Sequence, residues 1–220
     1  MTQSPSGSST AGFWDSDILD MLFPSHPTTE PRPHQDTELL RQLNFVPGLK
    51  EILMLRQVHA LEHATVWVLS DRARFRFSGT ATSDAQELGG MSTDRGFYLY
   101  GRVQLEDLSR AVQIALRRIT SGEWDLAVHP RCGTNLSVGM LLTAGLALGA
   151  TVFMPRDPIG QLVGFGAAAA AASFLAPDLG TLAQRYITTA VPFNLAIANI
   201  TPMHDHFGRP THFVQVRWLD

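Results

Sequence analysis

The sequence predicts an α+β protein, a small mixed helix/strand domain carrying an apolar helical hairpin long enough to cross a bilayer. Three observations lead there. Leu49–Ser70 is apolar nearly all round and contains His59-Ala60-Leu61-Glu62-His63. Short alternating or aromatic runs, Ala73–Phe77 and Gly96–Gly101, have strand character. Two long stretches, Leu136–Met154 and Ile159–Ala176, hold no charged residue. A chain of 220 residues can bury one sizeable core with an appendage. A formal charge of −3 without a basic stripe speaks against a nucleic-acid surface. A lone cysteine excludes an intrachain disulfide, and nothing suggests an oxidising compartment.

Residues 1–37 are rich in Ser, Pro and Thr and lack periodicity, so they are predicted to form a disordered tail ahead of one domain over 38–220. The tail has no basic segment followed by an apolar one, which argues against a secretory signal. Within it Phe13-Trp14, Ile18-Leu19 and Met21-Leu22-Phe23 could form a turn of amphipathic helix for docking on the domain or a membrane surface. Leu39–Leu43 reads as a short helix, ended by Pro47-Gly48. In Leu49–Ser70, Ile52, Leu55 and Val66 project with the histidines, and Met54, Leu61, Ala64 and Val68 cover the other side. A helix apolar on both sides is buried.

After Ser70, Ala73–Phe77 and Gly96–Gly101 are predicted strands with Gly79–Asp94 an irregular connection. Leu105, Leu108, Val112, Ala115 and Ile119 recur at helical spacing. Glu106 and Asp107 lie at the start of that helix and Arg117-Arg118 at its end, an order that suits the helix dipole. Ser121-Gly122 stops it, and Leu126–Val128 reads as a short strand leading into His129-Pro130-Arg131-Cys132-Gly133-Thr134. The uncharged stretches then form a hairpin over 136–176 about the polar turn Pro155–Pro158. Crossing a bilayer takes about 20 apolar helical residues. The competing reading is a buried helical hairpin of a soluble protein, which the weakly hydrophobic run Ala167–Ala172 encourages. Gly145/Gly149 and Gly160/Gly164 have the small-xxx-small spacing that lets helices approach closely. A hairpin returns the chain to its starting side, which places the expected location at the cytoplasmic membrane with the soluble part facing the cytoplasm. Leu182–Ile200, interrupted by Arg185, Pro192 and Asn194, reads as a packed helix or extended segment. Thr211–Trp218 alternates as a final strand beside Phe97–Leu99.

The chemistry lies in two motifs. His59 and His63, four apart on a helix, share one face and form half of a transition-metal site, with Glu62 placed to serve a metal-bound water. The order H-x-x-E-H is the inverted zinc-protease pattern. The competing reading is two core histidines bonded to backbone carbonyls or to Glu62, since an unpaired buried polar group costs roughly 1–3 kcal/mol. Zinc wants three protein ligands plus water, or four in a structural site. His129 and Cys132, three apart in a Pro/Gly-bearing turn, are the best further ligands. Against that, the turn could simply lead to Asn135 as the cap of the next helix. His204-Asp205-His206 is a weaker cluster, better explained as a solvated loop.

His59-Ala-Leu-Glu-His-Ala-Thr65 and His129-Pro-Arg-Cys-Gly-Thr-Asn-Leu136, with Phe97–Gly101 and the helix after it, make the chain resemble the bacterial domain-of-unknown-function family six-three-nine-one over roughly Leu49–Trp218. The paired motifs are more distantly similar to family thirteen-eighty-five, predicted metal-dependent enzymes with membrane segments. That resemblance implies His59, Glu62, His63, His129 and Cys132 as a shared polar constellation, and neither family supplies a substrate.

The expected function is therefore a membrane-associated, zinc-dependent hydrolase of peptide or other acyl bonds. Its metal is held by His59, His63 and His129, with Cys132 as fourth ligand or neighbour and Glu62 as the catalytic base. Imidazole with a thiolate leans to zinc, while iron or copper fit the same atoms. The partners expected are the lipid bilayer and a substrate or protein of unknown identity. If Cys132 ligates and closes the site, the alternative is a non-catalytic membrane scaffold or assembly protein with a structural metal. A thiol enzyme using Cys132 and His129 ranks last, because it needs a perturbed thiol pKa and an orienting third group.

Overall fold

The computed structural model describes residues 31–76, 88–154 and 157–219. The predicted tail, with its Phe13–Phe23 patch, lies outside the described residues up to position 30. Its last residues do not: α1 (Gln35–Gln42) starts inside the expected tail. Asp36 Oδ2 accepts from Gln57 Nε2 at 2.5 Å and Thr37 Oγ1 from Asn194 Nδ2 at 2.8 Å.

α2 (Leu49–Arg76) carries the first motif. It runs past Ser70 and takes in Ala73–Arg76, correcting the expected strand there. No Gly or Pro interrupts the sequence, and extending an existing helix adds one hydrogen bond per residue fixed. β1 (Gly89–Thr93) forms inside the stretch expected to be irregular and pairs with β2 (Gly96–Tyr100). Their two-residue turn leaves Gly96 at φ +147°, with Val214 O so close that a side chain would overlap it. α3 (Leu105–Thr120) follows as predicted. The expected strand at Leu126–Val128 is instead a 3₁₀ turn over Trp124–Ala127.

The chain then enters α4 (Gly133–Phe153) and α5 (Pro158–Ala183). A π turn, Gln184–Thr188, ends α5 and leads to β3 (Leu195–His204) and β4 (Pro210–Trp218). The segment 182–200 is therefore the end of a helix, a π turn and the start of a strand. The sheet is antiparallel in the order β1-β2-β4-β3 and does not close into a barrel. β4 pairs Val214 with Phe97 and His212 with Leu99. Those residues, with Leu61, Ala64 and Val68 of α2 and Leu108, Val112 and Ile119 of α3, form the buried core. The fold is thus a small α/β domain with two long apolar helices attached.

These helices pack on each other and little else. Asp157 caps α5 by accepting from Gly160 N at 2.8 Å, and Pro158 occupies the first turn, where a missing N–H costs nothing. The close approaches are made by Gly164 against Ala150 and Met154, Gly139 against Ala176, and Gly180 against Asn135. Gly145 and Gly149, expected at the contact, meet nothing. No residue of α4 is buried, and Leu141, Leu148, Phe153, Leu162 and Phe174 are strongly exposed. Among the described residues little covers these apolar faces. Both helices are long and apolar enough to cross a membrane.

Candidate metal centre

α2 presents His59 and His63 one turn apart, with ring centroids 4.4 Å from each other. Both rings are held from behind by backbone carbonyls. His59 Nδ1 donates to Thr188 O at 3.0 Å and His63 Nδ1 to Ala127 O at 2.6 Å. A carbonyl only accepts, so the proton sits on Nδ1 and each Nε2 keeps its lone pair. Metal-binding histidines are oriented in the same way, by a second hydrogen bond behind the ring.

Cys132 comes from the turn before α4. It occupies the N-cap position, where its Sγ accepts from Thr134 N at 3.3 Å and lies 3.2 Å from His59 Nε2. Asn135, the expected cap, sits inside the first helical turn. Burial pushes the Cys132 thiol up, but the His63 imidazole and the Thr134 amide outweigh it, and the net shift is downward, toward thiolate. The ligand atoms of His59, His63 and Cys132 all lie within 4.8 Å of one another, a group able to chelate a metal ion.

That group overturns the hydrolase reading. Its third donor stands 73 residues beyond His59, and the glutamate of the sequence pattern is not in it. The cluster is thus not an H-x-x-E-H centre. Glu62 is 7% exposed and turned beneath β1, where Ser92 Oγ donates to its Oε2 at 2.5 Å. Gly90 makes room, since a Cβ there would overlap the carboxylate. Burial raises the Glu62 carboxyl, against the lowering effects of Ser92 and His59. Its position ties α2 to β1.

His129 stands beside the cluster, its ring 5.7 Å from His63 and 5.1 Å from Trp67. Its Nδ1 accepts from Arg131 N at 3.3 Å, which leaves the proton of the neutral ring on Nε2. Burial, then His63 and Arg131, lower its pKa from 6.5 to about 4. The folded form therefore keeps the ring neutral, whereas unfolding lets it take a proton below 6.5. Stability should fall as pH drops from 6.5 toward about 4. A His129→Asn variant should show a shallower decline of melting temperature over that range; equal slopes would refute the assignment.

Neither His204 nor His206 comes into the cluster. Both are exposed at the β3–β4 turn, where Asp205 accepts from Arg209 Nε at 2.6 Å. Sequence reasoning missed Gln184. It is fully buried, accepts from His129 N at 2.8 Å and donates to Asn135 Oδ1 at 2.7 Å. Its only signal was a polar residue at the end of an apolar run. Thr188 and Ala127 act through backbone carbonyls, which leave no trace in side-chain identity. An open cleft of about 510 Å³ lies over the cluster.

Fold and site together define a class: a small α/β domain with a His–His–Cys group at the foot of an apolar helical hairpin. The chain belongs to the family described as Domain of unknown function (DUF6391), whose profile matches residues 54–200 and so spans both motifs and the hairpin. It is similar to an uncharacterized protein of Picosynechococcus sp., 53% identical over 208 residues, 94% of this chain and 96% of that relative. No solved structure matches it. Neither the family match nor the relative links the chain to family thirteen-eighty-five, so that expected likeness is not supported.

Proposed function

We propose that this chain is a non-catalytic membrane scaffold or assembly protein in which one metal ion clips together α2, the His129–Cys132 turn and the foot of the hairpin. The observation carrying this reading is that both imidazoles are locked by backbone carbonyls, with the His59 Nε2 at the Cys132 thiol and a ligand atom of each of the three residues within 4.8 Å of the others. His59, His63 and Cys132 are the ligands in this reading, and His129 is a neighbour whose ring packs against His63. Two imidazoles and a thiolate suit zinc. Bound there, the ion supplies a cross-link between segments distant in sequence, because no preformed site exists in the unfolded chain.

α4 and α5 span the bilayer in this reading, and their exposed apolar faces support it. Arg117, Arg118, Arg131 and Arg185 flank the outer ends of the pair against Arg156 in the turn, a bias that favours a cytoplasmic soluble part. Elemental analysis of the protein purified in detergent tests the metal. One zinc per chain is expected in the wild type and none in His59→Ala/His63→Ala. A metal-free wild type, purified without chelators and still folded, would sink the proposal. Solubility without detergent would sink the bilayer part of it.

A further inference from the structure

The cleft over the cluster lies where the hairpin begins and ends. Cys132 and Thr134 line it at the head of α4, and Ile187 and Thr188 line it after α5. Its other apolar residues include Ile52 and Leu55 on the first turns of α2. These two are 56% and 40% exposed, and Ile187 is 68% exposed. Exposed apolar side chains grouped along one groove, unlike ones scattered singly, mark a binding surface. The volume, about 510 Å³, falls among small-molecule sites of roughly 300–1,000 Å³.

The polar lining has a sign. Arg56 and Arg131 carry the charge of this lining, since the three histidines beside them are neutral. The Arg56 guanidinium is held at the cleft by the Tyr186 and Thr189 carbonyls at 3.2 and 3.1 Å, and among the described residues Glu62 is the single lining carboxylate. That carboxylate is already engaged by Ser92. An anionic head is therefore matched in charge, and a cationic one is not.

We propose that the cleft admits a single-chain amphiphile with a carboxylate head from the lipid layer. The head lies beside the metal cluster between Arg56 and Arg131, and the tail leaves past Ile52, Leu55 and Ile187. This rests on the reading of α4 and α5 as bilayer-spanning, and it gives the scaffold a ligand. The hairpin feet bring the cleft to the level where head groups meet acyl chains, so such a molecule enters sideways without crossing water.

The test uses the full chain in nanodiscs with a diazirine-bearing palmitate, its adducts mapped by mass spectrometry. Adducts are expected on 52–56 and 186–188, displaced by excess oleate and unaffected by acetate. They should be lost in Ile52→Trp, which fills the mouth, and in Leu55→Asp, which adds a repelling charge. Retained helicity by circular dichroism shows that the variants fold. Adducts confined to α4 and α5 would overturn the proposal, as would cleft adducts indifferent to both substitutions. Equal displacement by acetate would instead indicate a site for small soluble carboxylates, and equal labelling by a choline-headed probe would remove the charge selection; either overturns it. Zinc content is read on the same samples. Labelling without zinc removes the metal reading alone, and zinc without labelling removes this inference alone.

Discussion

Cys132→Ser is expected to release the metal and lower the melting temperature by roughly 6–12 °C, the equivalent of about 3 kcal/mol in a domain of this size. The substitution is chosen because serine keeps what the cysteine does for the helix. Cys132 is the N-cap of α4 and accepts from Thr134 N, a task a hydroxyl oxygen performs well. What serine lacks is a thiolate, since its hydroxyl stays protonated at neutral pH. The loss therefore reports the metal and not the cap. A strong chelator should produce the same drop in the wild type and almost none in the variant. A variant as stable as the wild type, with zinc still bound, would remove Cys132 from the ligand set.

Gln184→Leu should cost about 2–4 kcal/mol, although the change is close to neutral in volume. Gln184 is fully buried and joins three segments. It takes the His129 N–H, gives its own N–H to Asn135 Oδ1, and Asn135 Nδ2 in turn donates to Pro130 O at 2.9 Å. Leucine leaves the half-buried His129 N–H and Asn135 Oδ1 without this partner. Gln184→Glu is the informative companion, since a carboxylate still accepts from His129 N but offers nothing to Asn135. An intermediate loss for Glu, measured by thermal unfolding in detergent, is the expected order. Leucine behaving like the wild type would mean that this chain of bonds contributes no net stability.

The histidines were legible because helical spacing alone puts positions four apart on one face, and Ile52–Val68 is apolar enough to ensure a helix. Cys132 was legible through the turn chemistry around it. The role of Glu62 was not, because one residue of helical rotation, about 100°, separates pointing into a cluster from pointing under a strand. That strand was itself hidden: β1 reads Gly-Gly-Met-Ser-Thr, and Gly90 serves to let Glu62 approach, which no propensity scale rewards. β3 was obscured by Asn199 and Pro202, residues that an edge strand tolerates and a central one does not. Arg-Phe alternation at 74–77 suggested a strand, and continuity with an existing helix outweighed it through Arg76. The gap between core hairpin and bilayer hairpin was narrowed only by exposure, a quantity that composition does not carry.

The order of strands has a consequence for synthesis. β4 is the inner strand that joins β2 to β3, yet the whole hairpin separates it from β2 in the chain. A nascent polypeptide emerging from the ribosome holds β1 and β2 as a two-stranded ribbon backed by helix alone, without its third strand, until the nine residues Pro210–Trp218 arrive. Phe97 and Leu99 gain Val214 and His212 as neighbours only then. The domain is completed last, after both apolar helices have left the exit tunnel, and a translation stop before β4 leaves the sheet unclosed.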